Sequence, residues 1–204
     1  MNFYLHSSKV LKPIYPELTW NRESNGEKKV YLTFDDGPNP EATSFVLDVL
    51  KSYNFKATFF CIGDNVKKHA STYNRILEEG HRTGNHTFNH LNGFKTENNA
   101  YVANVRLAAE KIDSSLFRPP YGRLKKKQID QIIPDYEIIM WSILSGDFDP
   151  KLKRDKAFSD IVKLTKNGSI IVFHDSLKAL DNLHYLLPKY CEFLTQSGFT
   201  SCIL

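Results

Sequence analysis

An α/β fold, a distorted (β/α) barrel built on about seven parallel strands, is predicted by three features of the sequence. From Lys29 onward, short runs of β-branched and aromatic residues alternate with longer segments of helical period, which is how β/α units on a parallel sheet read. The 204 residues suffice for one domain with a real hydrophobic core and are too few for two comfortable ones. Acids and a histidine follow apolar runs directly, as expected where the C-terminal ends of parallel strands gather. An open doubly wound sheet is the alternative topology.

Residues 30–34, Val-Tyr-Leu-Thr-Phe, supply the first strand. Helix 41–53 follows, because Val46, Leu47, Val49 and Leu50 recur at helical spacing and cover one face of the sheet. Residues 57–61 make the second strand and 65–79 the second helix, with Gly80 where a C-cap is expected. Strand 81–84 precedes helix 97–112, strand 116–118 precedes helix 126–133, and strand 137–142 precedes helix 155–165. Strand 169–173, helix 180–196 with Gly198 at its C-cap, and strand 200–203 complete the chain. Residues 1–28, rich in Tyr, Pro and Trp, read as an ordered extension that packs over the barrel of residues 29–204.

Composition excludes several classes. Lys and Arg number 27 against 23 Asp and Glu, for a net charge of +4, and the two signs are interspersed. No nucleic-acid footprint results. The densest basic run, Lys125 to Lys127, reads as the solvated start of a helix. The three cysteines, Cys61, Cys191 and Cys202, are odd in number and form no CxxC pair. Neither a disulfide framework nor a structural zinc cluster is indicated, and buried reduced thiols are expected. Residues 1–20 mix His6, Lys9, Lys12 and Glu17 among their apolar residues, so no signal-peptide core is read there. No stretch approaches the roughly 20 apolar residues of a membrane span. A cytoplasmic location is the expectation for the chain as written, unless its start has been trimmed.

Four segments carry chemistry. In Thr33-Phe34-Asp35-Asp36-Gly37-Pro38, two acids follow a strand, although Asp-Gly-Pro is also ordinary turn chemistry. In residues 84–90, His86 and His90 lie four apart, a spacing that lets both imidazoles reach one ion if the segment takes a helical turn. With the carboxylate pair, they indicate a metal site of two His and one Asp that leaves positions open for water, as in catalytic zinc centres. Arg118 precedes Pro119-Pro120-Tyr121-Gly122. The prolines either end a strand in a turn or aim a guanidinium that can hold a carboxylate. Residues 168–175 are a buried-strand run ending in His174-Asp175, and a histidine there is placed to deliver a proton near neutral pH.

In this order, TFDDGP, HTFNH, RPPYG and IIVFH resemble the successive motifs of the polysaccharide deacetylase family, which carries the NodB homology domain and is carbohydrate esterase family 4. The resemblance spans about residues 29–204 and makes that stretch a catalytic domain. It implies a metal-dependent hydrolase removing acetyl groups from N-acetylhexosamine units of an oligo- or polysaccharide. By the same resemblance Asp35 is the general base, and Asp36, His86 and His90 hold a divalent metal, zinc first, with cobalt or nickel as alternatives. Arg118 orients the base, the Tyr121 backbone N–H donates to the oxyanion, and His174 is the general acid.

The match departs at one motif. Leu144 stands where an acid paired with the catalytic histidine or the arginine is expected, and Phe148 stands in place of a tryptophan. Loss of that carboxylate predicts a lowered pKa for His174, unless Asp147 or Asp149 supplies the charge from a shifted loop. Trp141, Phe148 and the Tyr121 side chain either floor a sugar cleft by stacking or fill the core. Two other functions stay open at this point: a carbohydrate-binding pseudoenzyme, and a metal-dependent amidase for a small non-sugar substrate.

Overall fold

The computed structural model describes residues 11–23 and 25–204, so the expectations for residues 1–10 lie outside the described residues. The strands are β1 (Lys29–Asp35), β2 (Ala57–Cys61), β3 (Arg82–Asn85), β4 (Leu116–Phe117), β5 (Glu137–Ile138), β6 (Ile143–Leu144), β7 (Ile170–His174) and β8 (Thr200–Ser201). The helices are α1 (Ala42–Ser52), α2 (Gly63–Lys68), α3 (Ala70–Glu78), α4 (Asn98–Ala109), α5 (Lys126–Ile132), α6 (Arg154–Leu164) and α7 (Leu180–Gln196). Seven parallel strands run in the order β5-β4-β3-β2-β1-β7-β6, and β8 pairs in parallel with the start of β1.

The ends of this path belong to one stretch of chain. Residues 137–144 bond first to β4, where Ile139 N–H donates to Phe117 O at 2.8 Å, and then to β7, where Ser142 N–H donates to Ile170 O at 3.1 Å. The sheet therefore curls until a single segment bridges its two edges, the distorted barrel expected from the sequence. Of the predicted strand 137–142 only Glu137–Ile138 forms, and β6 begins beyond its predicted end at Ile143, because the Ile139 and Met140 carbonyls accept hydrogen bonds from the Arg118 guanidinium rather than from a neighbouring strand. The predicted helix 65–79 is also two helices, interrupted at His69 (φ −128°, ψ 48°). α2 starts at Gly63 because Gly63 and Asp64 donate backbone hydrogen bonds to Thr87 O and Phe88 O, outside the helix.

Period-two alternation in β1 sorts the two faces. Val30, Leu32 and Phe34 are fully buried in the layer between sheet and helices, against Val46, Leu47 and Leu50 of α1 and Leu183, Leu186 and Leu187 of α7. Thr33 and Asp35 take the opposite face, inside the barrel, whose floor is filled by Phe60, Leu116, Ile139, Ile170 and Leu204. That alternation aims the first acid of the pair at the barrel mouth. Leu18 and Trp20 of the N-terminal segment are buried against Tyr101, Leu124 and Ile129, and Thr19 N–H donates to Ile138 O at 2.9 Å. Cys61 and Cys191 are buried and Cys202 is only half-buried, all three unpaired. No helix among the described residues is long and apolar enough to cross a membrane.

Candidate active site

At the end of β1 the backbone turns sharply. Asp36 has φ 80°, a left-handed conformation that costs an ordinary L residue of order 1 kcal/mol or more and persists only when its surroundings hold it. Asn65 Nδ2 donates to Asp36 O at 2.8 Å, and Gly37 N–H donates to Asp175 Oδ1 at 3.1 Å. The Asp175 Oδ2 accepts from the Thr43 hydroxyl at 2.6 Å. A Cβ on Gly37 would lie 2.0 Å from that Oδ2, so the loop needs glycine there. Asp175, adjacent to His174 in sequence, thus holds the turn after Asp36 in space.

His86 and His90 sit on a loop after β3 that is not helical, contrary to the turn the spacing suggests. Thr87 (φ 64°) and His90 (φ 55°) bend it, and side chains replace the helical bonds. Asn85 Oδ1 accepts from Thr87 N–H at 2.8 Å, and Asn104 Oδ1 accepts from Phe88 N–H and Asn89 N–H at 2.9 and 3.0 Å. The His86 Nδ1 lies 2.7 Å from Arg118 O. A carbonyl only accepts, so Nδ1 carries the proton and Nε2 presents its lone pair.

That lone pair faces Asp36. Asp36 Oδ1 is 3.7 Å from His86 Nε2 and 3.1 Å from His90 Nε2, and one ligand atom from each residue lies within 4.8 Å of the others. Burial pushes the His86 imidazole down to about 4, keeping it neutral as a ligand must be. Burial opposes the Asp36 charge, but His90, His174 and His86 hold its carboxyl well below the usual range. Two neutral-capable imidazoles and one carboxylate, with the buried imidazole oriented by a carbonyl behind it, fit a catalytic divalent cation.

Arg118 is fully buried and every arm of its guanidinium is used. Nη1 donates to Asp35 Oδ1 and to Thr33 Oγ1, both at 2.7 Å. Nε donates to Ile139 O at 3.2 Å and Nη2 to Met140 O at 3.0 Å, while the Phe60 ring lies 4.1 Å from the guanidinium carbon. Asp35 is thereby locked beside the Asp36 turn. Tyr121 has φ 61°, and its backbone N–H finds no hydrogen-bond partner among the described residues. Its ring is 60% exposed and packs 4.7 Å from the His90 ring, so the side chain belongs to the cleft and not to the core.

The neighbouring strand carries His174, the last residue of β7, paired in register with Asp35. Asp147 meets it with both oxygens: Oδ1 is 2.7 Å from His174 Nδ1, and Oδ2 accepts the His174 backbone N–H at 2.8 Å. Leu144 pairs with Val172 in β6–β7 and lines the cleft without supplying charge. The lowered pKa inferred from the missing acid at 144 is therefore corrected. Burial alone would lower it, but the Asp147 charge, its hydrogen bond, and the Asp36 and Asp35 charges push His174 up to about 9. The Asp149 carboxylate instead accepts Lys151 N–H at 2.9 Å.

Asp35, Asp36, His86, His90, Tyr121 and His174 open into one cleft of about 1160 Å³, which Trp141 and Phe148 also line. Phe148 stands edge-on to His174, with ring centroids 5.1 Å apart and planes at 78°. Trp141 borders the cleft and packs against the interior clusters that hold Met140 and Phe60. The cleft rim bears Lys95, Arg123 and Lys178, whereas its acids are Asp35 and Asp36 alone among the described residues.

Comparison with known proteins agrees with this geometry. The family model described as polysaccharide deacetylase matches residues 22–137. A peptidoglycan-N-acetylglucosamine deacetylase of Bacillus cereus is 35% identical over 184 residues, covering 82% of this chain and 66% of that protein. A second such deacetylase from Bacillus cereus is 34% identical over 191 residues, covering 89% of this chain and 88% of that protein. Among solved structures, a peptidoglycan N-acetylglucosamine deacetylase in complex with 4-naphthalen-1-yl-N-oxidanyl-benzamide superposes with a TM-score of 0.80 at 28% identity, over 92% of this chain and 91% of that one. With the matched motifs carried on the ends of neighbouring strands around one cleft, the chain belongs to the polysaccharide deacetylase family.

Proposed function

We propose that this chain hydrolyses the acetamide of N-acetylhexosamine units in a glycan, releasing acetate and leaving a free amine. The observation that carries the reading is that Asp35, paired with Arg118, and His174, paired with Asp147, line one cleft together with the Asp36, His86 and His90 cluster. A divalent cation held by those three residues, zinc by preference and cobalt or nickel as alternatives, supplies Lewis acidity toward the acetyl carbonyl and acidifies water. Asp35, held by Arg118, takes the proton from the attacking water. The Tyr121 N–H donates to the oxyanion that forms, a contribution worth about 3 kcal/mol in comparable acyl-transfer sites. His174 then protonates the departing nitrogen.

The His174 assignment has a pH consequence. The Asp147 carboxylate holds His174 above the ordinary imidazole value, so the rate should hold through neutrality and fall on the alkaline side as His174 loses its proton. Asp147→Asn removes the largest charge that opposes burial, and the alkaline limb should move to lower pH. A limb that does not move would assign the transferred proton to another group.

The three rim cations, Lys95, Arg123 and Lys178, favour a glycan that carries carboxylates, and the relatives named as peptidoglycan-N-acetylglucosamine deacetylases support peptidoglycan as the first candidate. The test is acetate release from N-acetylglucosamine oligomers and from peptidoglycan fragments, with zinc, cobalt or nickel added. Release from neither, with measurable glycan binding, would establish a binding pseudoenzyme. Equal release from simple acylamines would establish a small-substrate amidase.

A further inference from the structure

The carboxylate that meets His174 comes from a loop, not from a strand end, and something must hold it there. β6 ends at Leu144, and Asp147 lies in the connection between β6 and α6. Asp147 is fully buried, with both carboxylate oxygens bonded to His174. Ser145 ties the start of the loop to β7, donating its N–H to Val172 O at 3.0 Å and accepting Asp147 N–H on its hydroxyl at 3.3 Å, and a second anchor is on α7. Asn182 is 5% exposed and donates both hydrogens of its single amide to the loop backbone, to Asp147 O at 2.8 Å and to Asp149 O at 2.9 Å.

The orientation of that amide is itself determined. Arg154, the first residue of α6, donates its Nε hydrogen to Asn182 Oδ1 at 2.8 Å. A guanidinium can only donate and a carbonyl can only accept, so the amide oxygen must face Arg154 and the nitrogen must face the loop. A flipped Asn182 would set its NH₂ against the guanidinium and its oxygen against two carbonyls. Neither residue touches the cleft, and both stand behind the His174–Asp147 pair.

We propose that Asn182, oriented by Arg154, is a positioning residue that holds the Asp147 loop so that its carboxylate stays against His174. The assignment rests on the deacetylase reading for its kinetic meaning, and on the hydrogen-bond geometry alone for its structural meaning. Freed from Asn182, the Asp147 carbonyl seeks water, Asp149 O keeps only Leu152 N–H at 3.0 Å, and the loop is left to its Ser145 bonds. His174 then keeps Asp35 at the end of the neighbouring strand β1, Asp36 just after it, and Lys178 of the segment after β7, 5.8 Å from the Phe148 ring. Burial, which works against its charge, is no longer offset by Asp147.

The experiment uses the full chain with zinc bound and reads two quantities, the pH dependence of kcat for acetate release and the titration of the His174 ring by NMR. Asn182→Ala should move the His174 midpoint and the alkaline limb of kcat down together, by about one pH unit or more. The corresponding fall is about ten-fold in kcat above the new midpoint, with KM and bound zinc unchanged. Arg154→Ala, at an exposed position, should shift both in the same direction by less, and Arg154→Lys should restore them. Thermal melting checks that each variant folds, and Arg154→Ala carries the test if Asn182→Ala does not. Uniform loss of kcat at all pH values with an unmoved His174 midpoint would overturn the proposal. An unmoved midpoint in Arg154→Ala with a shifted one in Asn182→Ala would overturn the orienting role of Arg154. If the wild-type chain releases no acetate, the deacetylase reading fails while the NMR titration still decides the positioning claim.

Discussion

His86→Ala is expected to leave the cation site without bound metal and to take acetate release to background, whereas Asp35→Asn is expected to abolish release with the metal still bound. The imidazole of His86 is almost wholly buried and is aimed at Asp36 by its bond to the Arg118 carbonyl. Alanine leaves only Asp36 and His90, too few donors for a catalytic site of this kind. Asp35→Asn keeps an oxygen for Arg118 Nη1, so the geometry survives and only the proton acceptor is lost. General bases of this kind account for about 10²–10⁴ in rate. Metal content per chain and acetate release on the same samples separate the two variants. Loss of metal from Asp35→Asn would mean that the two aspartates have exchanged roles.

Arg118→Ala is expected to cost both activity and much of the fold's stability. The guanidinium is fully buried, so its removal leaves the Asp35 carboxylate without a partner in the interior and strands Thr33 and the Ile139 and Met140 carbonyls. Breaking a buried charge pair in this way destabilises by about 3–5 kcal/mol. For a chain of this size that corresponds to a fall in Tm of roughly 6–20 °C. Arg118→Lys should recover little, because an ammonium cannot reach acceptors spread around a planar fork. Denaturant unfolding of the variant within about 1 kcal/mol of wild type would show that the pair is not the structural hub argued for it.

Several features were legible before any coordinates. The runs at 30–34, 57–61 and 169–173 are strands because their neighbours in sequence are enough to mark a buried apolar element, and β1, β2 and β7 correspond to them within one residue at each end. Asp35 and Asp36, and His86 and His90, are pairs within short segments, so their closeness needed no knowledge of the fold. The family's motifs are local in the same sense.

What the sequence did not disclose was decided by groups far apart along the chain. The break between β5 and β6 comes from Arg118, more than 20 residues upstream. The His86–His90 loop is held open by Asn104 in place of a helical turn. Asp147, not Leu144 or Asp149, meets His174 because Asn182 on α7 holds the loop from behind. Sequence by itself determined the family, the strand order's raw material and the residues that bear the chemistry, since spacing and propensity are properties of short segments. Tertiary structure alone decided which way those residues point and what charge each one meets, because a buried polar group takes its direction from whatever distant donor or acceptor satisfies it.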